Sequence, residues 1–328
     1  MDCINCIKDN SVVNKLMFAP RVSSYDADLG VCWVGTICCQ FLTYEYHDNR
    51  KVLEPTTILE THPVIIFCHG NACDIGDVSE FAKHLSKECQ CHVLLYEYPG
   101  YGLSTGIPTE NSCTEGLTNI INHLKDKMNI PVQNMIFYGQ SIGSGIATAG
   151  YKYCKSKFNQ SPAGLILISP YLSIKTLGSD IFPSCSTVPI LERFDTKENI
   201  KCCDTGLLII HGYRDEVIPV AHGKKLNEIA SCPTKILDIV LGATHNSIPY
   251  DRIIDRCNNL LMNIRKLVDY DVKYQNNIFW TRQNDLFTNP FYDVKPGILS
   301  MLFSSSLEAS TATSIDTSKS TSESCNIF

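Results

Sequence analysis

The chain has 328 residues, 44% of them hydrophobic and 19% charged, so it can bury a sizeable core and is neither wholly disordered nor fibrous. Twenty-eight basic residues stand against 34 acidic ones, a net charge of −6, and no run of Lys or Arg supplies the basic footprint of a nucleic-acid binder. Seventeen cysteines are scattered, odd in number and preceded by no apolar signal-peptide core, which argues for reduced thiols rather than a secreted disulfide framework.

Residues 1–28 read as a short N-terminal segment of mixed composition. The apolar run from Leu29 to Leu42 is interrupted by Gly35 and Gln40, and its 14 residues are too few for a bilayer, which takes about 20. From 29 to 269 strand and helix signals alternate. Val64–Phe67, Val93–Tyr96, Met135–Tyr138, Leu165–Ile168 and Leu207–Ile210 are short apolar runs of the kind buried on both faces of a parallel sheet, and Ile236–Leu241 reads as a further strand. Between them, Asp77-Val78-Ser79-Glu80 reads as a capping box opening a helix. Leu117, Ile120, Ile121, Leu124 and Met128 form the apolar stripe of a second, which stops before Pro131. Ile253, Ile254, Cys257, Leu260, Leu261, Ile264 and Leu267 keep helical spacing in the last. The alternation predicts an α/β fold over 29–269, a mostly parallel central sheet with helices on both faces. The stretch between strands 165–168 and 207–210 leaves room for a small cap only. Its apolar residues Ile181, Phe182, Val188, Ile190, Leu191 and Phe194 read equally as an acyl groove or as ordinary core. Residues 270–303 form a C-terminal extension, and 304–328 a Ser/Thr-rich tail expected to be disordered.

The chemistry centres on Gly139-Gln140-Ser141-Ile142-Gly143, which follows an apolar strand and precedes a helix-compatible stretch. This is the context of a nucleophile elbow, where a serine sits on a strained strand-to-helix turn flanked by Gly139 and Gly143. A serine hydroxyl needs a base to take its proton and an acid to orient that base, in the chain order Ser, acid, His. Asp215, with Glu216 as competitor, lies just past strand 207–210, and His245 lies on the loop after strand 236–241. The oxyanion formed by attack needs amide donors. Ile142 N–H is one; Asn71 N–H, with Ala72 the near alternative, is the choice from the loop after strand 64–67. His69 and His211 each open a His-Gly pair at a strand end and are read as structural. Cys3-x-x-Cys6 has no second pair at zinc-finger spacing, so no metal site is expected.

Four stretches, 67–72, 98–104, 139–143 and 209–218, together with Asn14 to Pro20, resemble the α/β-hydrolase-domain 17 family over roughly residues 15–268. The resemblance implies an α/β-hydrolase fold and a serine hydrolase, a protein S-palmitoyl thioesterase, that needs no cofactor. Its implied substrates are S-acylated proteins or acyl lipids. In that family the Cys-containing N-terminus is palmitoylated, so Cys3 and Cys6 are read as acylation sites. Cys325-Asn326-Ile327-Phe328 matches a prenylation box, which makes Cys325 a second candidate anchor. The expected setting is therefore the cytoplasmic face of membranes, as a peripheral monomer, or the cytoplasm, with no nucleic-acid partner. The alternative is another serine hydrolase: a lysophospholipase, a carboxylesterase or a serine aminopeptidase. A non-catalytic binder of the same fold is the rival class, and the complete set of Ser141, Asp215 and His245 argues against it.

Overall fold

The computed structural model describes residues 14, 17–44, 62–181 and 192–267. Its centre is an eight-stranded sheet of β1 (Cys32–Val34), β2 (Ile37–Leu42), β3 (Val64–Cys68), β4 (His92–Tyr96), β5 (Met135–Gln140), β6 (Gly164–Ile168), β7 (Gly206–Gly212) and β8 (Thr234–Val240). The order across the sheet is β1-β2-β4-β3-β5-β6-β7-β8. β1 pairs with β2 and β2 with β4 antiparallel, and every pairing from β4 through β8 is parallel.

Why the runs in β3 to β7 are apolar at every position is now plain: alternate residues serve opposite faces. Val64, Ile66, Leu94, Phe137, Leu165 and Ile209 pack on one side with the apolar stripes of α2 (Glu110–Asp126) and α3 (Gly143–Phe158). Ile65, Phe67, Val93, Tyr138, Ile166 and Ile210 pack on the other with α1 (Ile75–Cys89) and the helix Tyr250–Leu267. Helices thus cover both faces. The short helices Ile174–Ile181 and Thr196–Asn199 lie between β6 and β7, and Ala221–Ile229 lies between β7 and β8.

Three local differences from the sequence reading have physical causes. The first helix starts at Ile75, not at Asp77: Asp74 is its N-cap and Asp77 the third helical residue that closes the capping box back onto it. The run 29–42 holds a hairpin, Val34 pairing with Ile37 around a turn that Gly35 enters at φ 63°. Ile37 to Gln40 are all buried, so no polar–apolar alternation announces that strand. Leu241, placed in the last strand from sequence, lies beyond it and is exposed.

Phe18, from the N-terminal segment, is buried and meets Phe194 edge-on at 6.1 Å, so Phe194 belongs to the core. The Ile181 side chain and Phe182, Val188, Ile190 and Leu191 lie outside the described residues, as do the segments 270–303 and 304–328 and Cys3, Cys6 and Cys325.

Candidate active site

The parallel strands all end on one edge of the sheet, and the loops leaving that edge carry the candidate residues. β5 ends at Gln140 and α3 starts at Gly143, so the chain must reverse within two residues. Ser141 makes the reversal with φ 52°, a left-handed conformation that a side chain enters only at a cost. The turn is held by Ser141 N–H donating to the Ile168 carbonyl at 2.9 Å and Ser144 N–H donating to the Ser141 carbonyl at 2.9 Å. Both flanking glycines are required by space. A Cβ on Gly139 would stand 2.5 Å from the Gly143 carbonyl oxygen. One on Gly143 would run into the Cys68 and His69 carbonyl oxygens.

His245, on the loop after β8, reaches the serine. Its Nε2 lies 3.0 Å from Ser141 Oγ, and its Nδ1 lies 2.8 Å from Asp215 Oδ2. Glu216, the competing acid, takes no part in that line; its carboxyl accepts the His245 backbone N–H at 3.3 Å. Asp215 is locked in turn. Its Oδ1 accepts the N–H groups of Val217 at 2.9 Å and Ile218 at 2.7 Å, and its buried Oδ2 also lies 3.3 Å from His211 Nε2. Burial alone would push the Asp215 carboxyl up. The hydrogen bonds from His211 and His245, the field of His245 and the Ile218 amide outweigh it and hold the group well below the usual carboxylate range. A carbonyl oxygen only accepts, so the 2.8 Å contact to Ile218 O places a hydrogen on His211 Nε2, aimed at the acid as well.

The loop after β3 passes beside the serine: a Cβ on Gly70 would lie 4.0 Å from the Ser141 Cβ. The amide N–H groups of Asn71 and Ile142 have no internal acceptor among the described residues. The Asn71 side chain makes three hydrogen bonds elsewhere. Its Oδ1 accepts from Tyr101 Oη at 2.6 Å and from Ala19 N–H at 2.9 Å, while its Nδ2 donates to the Met17 carbonyl at 2.9 Å. His69 is buried, stacked on Tyr98 with ring centroids 4.1 Å apart, and its Nε2 lies 3.0 Å from Glu97 Oε1.

Against known proteins, residues 60–194 match a family model described as serine aminopeptidase, S33. The α/β-hydrolase domain-containing protein aho-3 of Caenorhabditis elegans is 34% identical over 267 residues, covering 75% of this chain and 76% of its own. This chain belongs to the α/β-hydrolase domain-containing family. Within the family, human α/β-hydrolase domain-containing protein 17B is 33% identical over 193 residues, 58% of this chain and 64% of its own. Among solved structures, Est1E from Butyrivibrio proteoclasticus with ferulic acid bound has a TM-score of 0.54 at 12% identity. It covers 72% of this chain and 99% of that one. The eight-stranded, mostly parallel sheet with helices on both faces is the α/β-hydrolase fold.

The sequence reading of this hydrolase named every member of the Ser141–His245–Asp215 line. It left the partners of two supports unread. His211, read as structural, has that role, its ring lying against the Asp215 carboxyl. Glu97 carried no local signal; it is a lone acidic residue between two tyrosines. Among the described residues, no group of three His, Cys, Asp or Glu side chains is arranged to hold a metal ion, and no helix is long and apolar enough to cross a membrane.

Proposed function

We propose that this hydrolase cleaves acyl thioesters through a covalent acyl-serine, with S-acylated proteins as its substrate class. The observation that carries the reading is the unbroken hydrogen-bonded line from Ser141 Oγ through His245 to Asp215. His245 Nε2 takes the hydroxyl proton as Oγ attacks the thioester carbonyl, and Asp215 holds Nδ1–H so that Nε2 is the free base. The N–H groups of Asn71 and Ile142 receive the oxyanion. As the intermediate collapses, the thiolate leaves and takes the proton from His245. Water then attacks the acyl-serine, giving its proton to His245, and the fatty acid departs as Ser141 regains its hydrogen. The steps need no metal or organic cofactor.

A thiol pKa of about 8.5 makes the thiolate a far better leaving group than an amine, so weak activation suffices. The resemblance to the domain-17 proteins supports the acyl-protein substrate. The serine aminopeptidase description of the matched family model supports a second reading, hydrolysis of an amide or an ester by the same residues.

Fluorophosphonate labelling of wild type and Ser141→Ala is the test, followed by matched acyl thioester, ester and peptide substrates. Ser141→Ala should lose labelling and turnover, with stability changed by less than about 1 kcal/mol. Retained turnover in that variant removes the serine mechanism. Faster cleavage of the peptide than of the thioester favours the second reading.

A further inference from the structure

We infer that the N-terminal strap, residues 17–25, and the buried Glu97 position the oxyanion loop 69–74, so that seating of the strap sets the rate of the charge-building steps. The inference rests on the serine mechanism proposed above.

The loop is held at three places, and the strap takes part in each. Glu97 sits fully buried at the end of β4 and grips both ends of the loop. Its Oε1 lies 3.0 Å from His69 Nε2, and its Oε2 accepts the N–H of Ile75 at 2.9 Å, the first residue after the loop. The strap closes this grip through Tyr25 Oη, which donates to the same Oε2 at 2.8 Å. At mid-loop, two of the three bonds to the Asn71 side chain come from Met17 and Ala19. At the far end, Ser24 N–H donates to the buried Asp74 Oδ2 at 2.7 Å, and the Ser24 hydroxyl donates to Asp74 Oδ1. Arg21 pairs with Asp77 one turn further on.

These partners cannot be exchanged for others in the body of the fold. Gly102 carries no Cβ because one would collide with Glu97 Oε2 and Tyr25 Oη, so the space around the carboxyl is filled. Withdrawal of the strap would take the Tyr25 hydroxyl from Glu97, both Ser24 donors from Asp74, and the Ala19 donor and Met17 acceptor from the half-buried Asn71 side chain, at about 1–3 kcal/mol for each group left unsatisfied. The loop would move to recover bonds, and the Asn71 N–H would move with it. Misplacing a group by about 1 Å costs on the order of 10²-fold in rate, and losing one oxyanion donor costs about 10²–10³-fold. The network holds an N–H that receives charge only once the carbonyl has been attacked, so the effect falls on kcat rather than KM.

The experiment uses the full chain and two variants, Tyr25→Phe, which deletes one hydroxyl, and Asn71→Ala, which deletes three side-chain bonds and keeps the backbone amide. Kinetics on a p-nitrophenyl acyl ester are read beside affinity for an acyl trifluoromethyl ketone, whose adduct with Ser141 carries an oxyanion, and for the corresponding alcohol, which forms no adduct. The expected losses in kcat are about 10-fold for Tyr25→Phe and about 10²-fold for Asn71→Ala. The ketone should weaken by the same factors, with KM and alcohol affinity within about twofold. The inference is overturned if both variants keep kcat and ketone affinity within twofold of wild type. It is equally overturned if ketone and alcohol weaken together, since that marks general loosening of the site. Failure of the serine mechanism is separate and shows as wild-type protein that fluorophosphonate does not label at Ser141.

Discussion

Replacing Asp215 by Asn keeps the side-chain shape and exchanges one acceptor oxygen for an amide that only donates. The structure leaves that amide nowhere to point. Oδ1 faces two backbone N–H groups, and Oδ2 faces His245 Nδ1 and the hydrogen on His211 Nε2. With the amide toward the histidines, His245 must accept at Nδ1 and carry its hydrogen on Nε2, so it can no longer take a proton from Ser141. Turnover should fall about 10⁴-fold, as in other Ser-His-Asp sites with the wrong tautomer. Stability should also fall, by about 2 kcal/mol at neutral pH, because a charge-assisted hydrogen bond is replaced by facing donors. The pH sign follows from the direction of the shift. The folded carboxyl titrates below its unfolded value of about 3.9, so its contribution is complete above that pH and is lost as pH falls toward the folded value. The acid limb of the stability curve should therefore be shallower in Asp215→Asn than in wild type. Steady-state ester hydrolysis and denaturant unfolding between pH 7 and pH 3 measure both effects. A variant with kcat within tenfold of wild type, or with a parallel acid limb, would refute the reasoning.

Gly143→Ala drives a Cβ into the Cys68 and His69 carbonyls, where no flexible side chain can yield. A stability loss of about 1–3 kcal/mol and at least a hundredfold loss of turnover are expected, and a thermal melt unchanged from wild type would contradict the packing account. Buried Asp238 accepts three hydrogen bonds from Arg252 and Arg256, yet both arginines are partly exposed and reach water. Asp238→Ala should cost no more than about 1 kcal/mol in urea unfolding, and a loss above about 3 kcal/mol would show the cluster to be structural rather than screened. Burial pushes the Cys73 and Cys113 thiols up to about 12. At pH 8 peptide mapping should find exposed Cys32 alkylated by iodoacetamide well before half-buried Cys73 or buried Cys113, and equal labelling would contradict the raised thiols.

Strand positions, the elbow and the order of serine, acid and histidine were legible because each depends on neighbours within a few residues. A strand buried on both faces must be apolar at every position, and a strand-to-helix reversal needs glycine on either side of the serine. Such requirements write themselves into short stretches of sequence. The hairpin in 29–42 escaped because its second strand is buried at consecutive positions, which removes the alternation that marks an antiparallel strand. What joins the site is of another kind. Ser141 and His245 are 104 positions apart, His245 and Asp215 are 30 apart, and Tyr25 and Glu97 are 72 apart. Choosing Asp215 over Glu216 depends on which carboxyl the turn at Val217 and Ile218 aims inward, and both fit the same local pattern. Tyr25, Ser24 and Glu97 look like ordinary polar residues along the chain. Only the closing of β3, β4 and the strap around one buried carboxyl makes them partners, because hydrogen bonds are satisfied in space and leave no period in sequence.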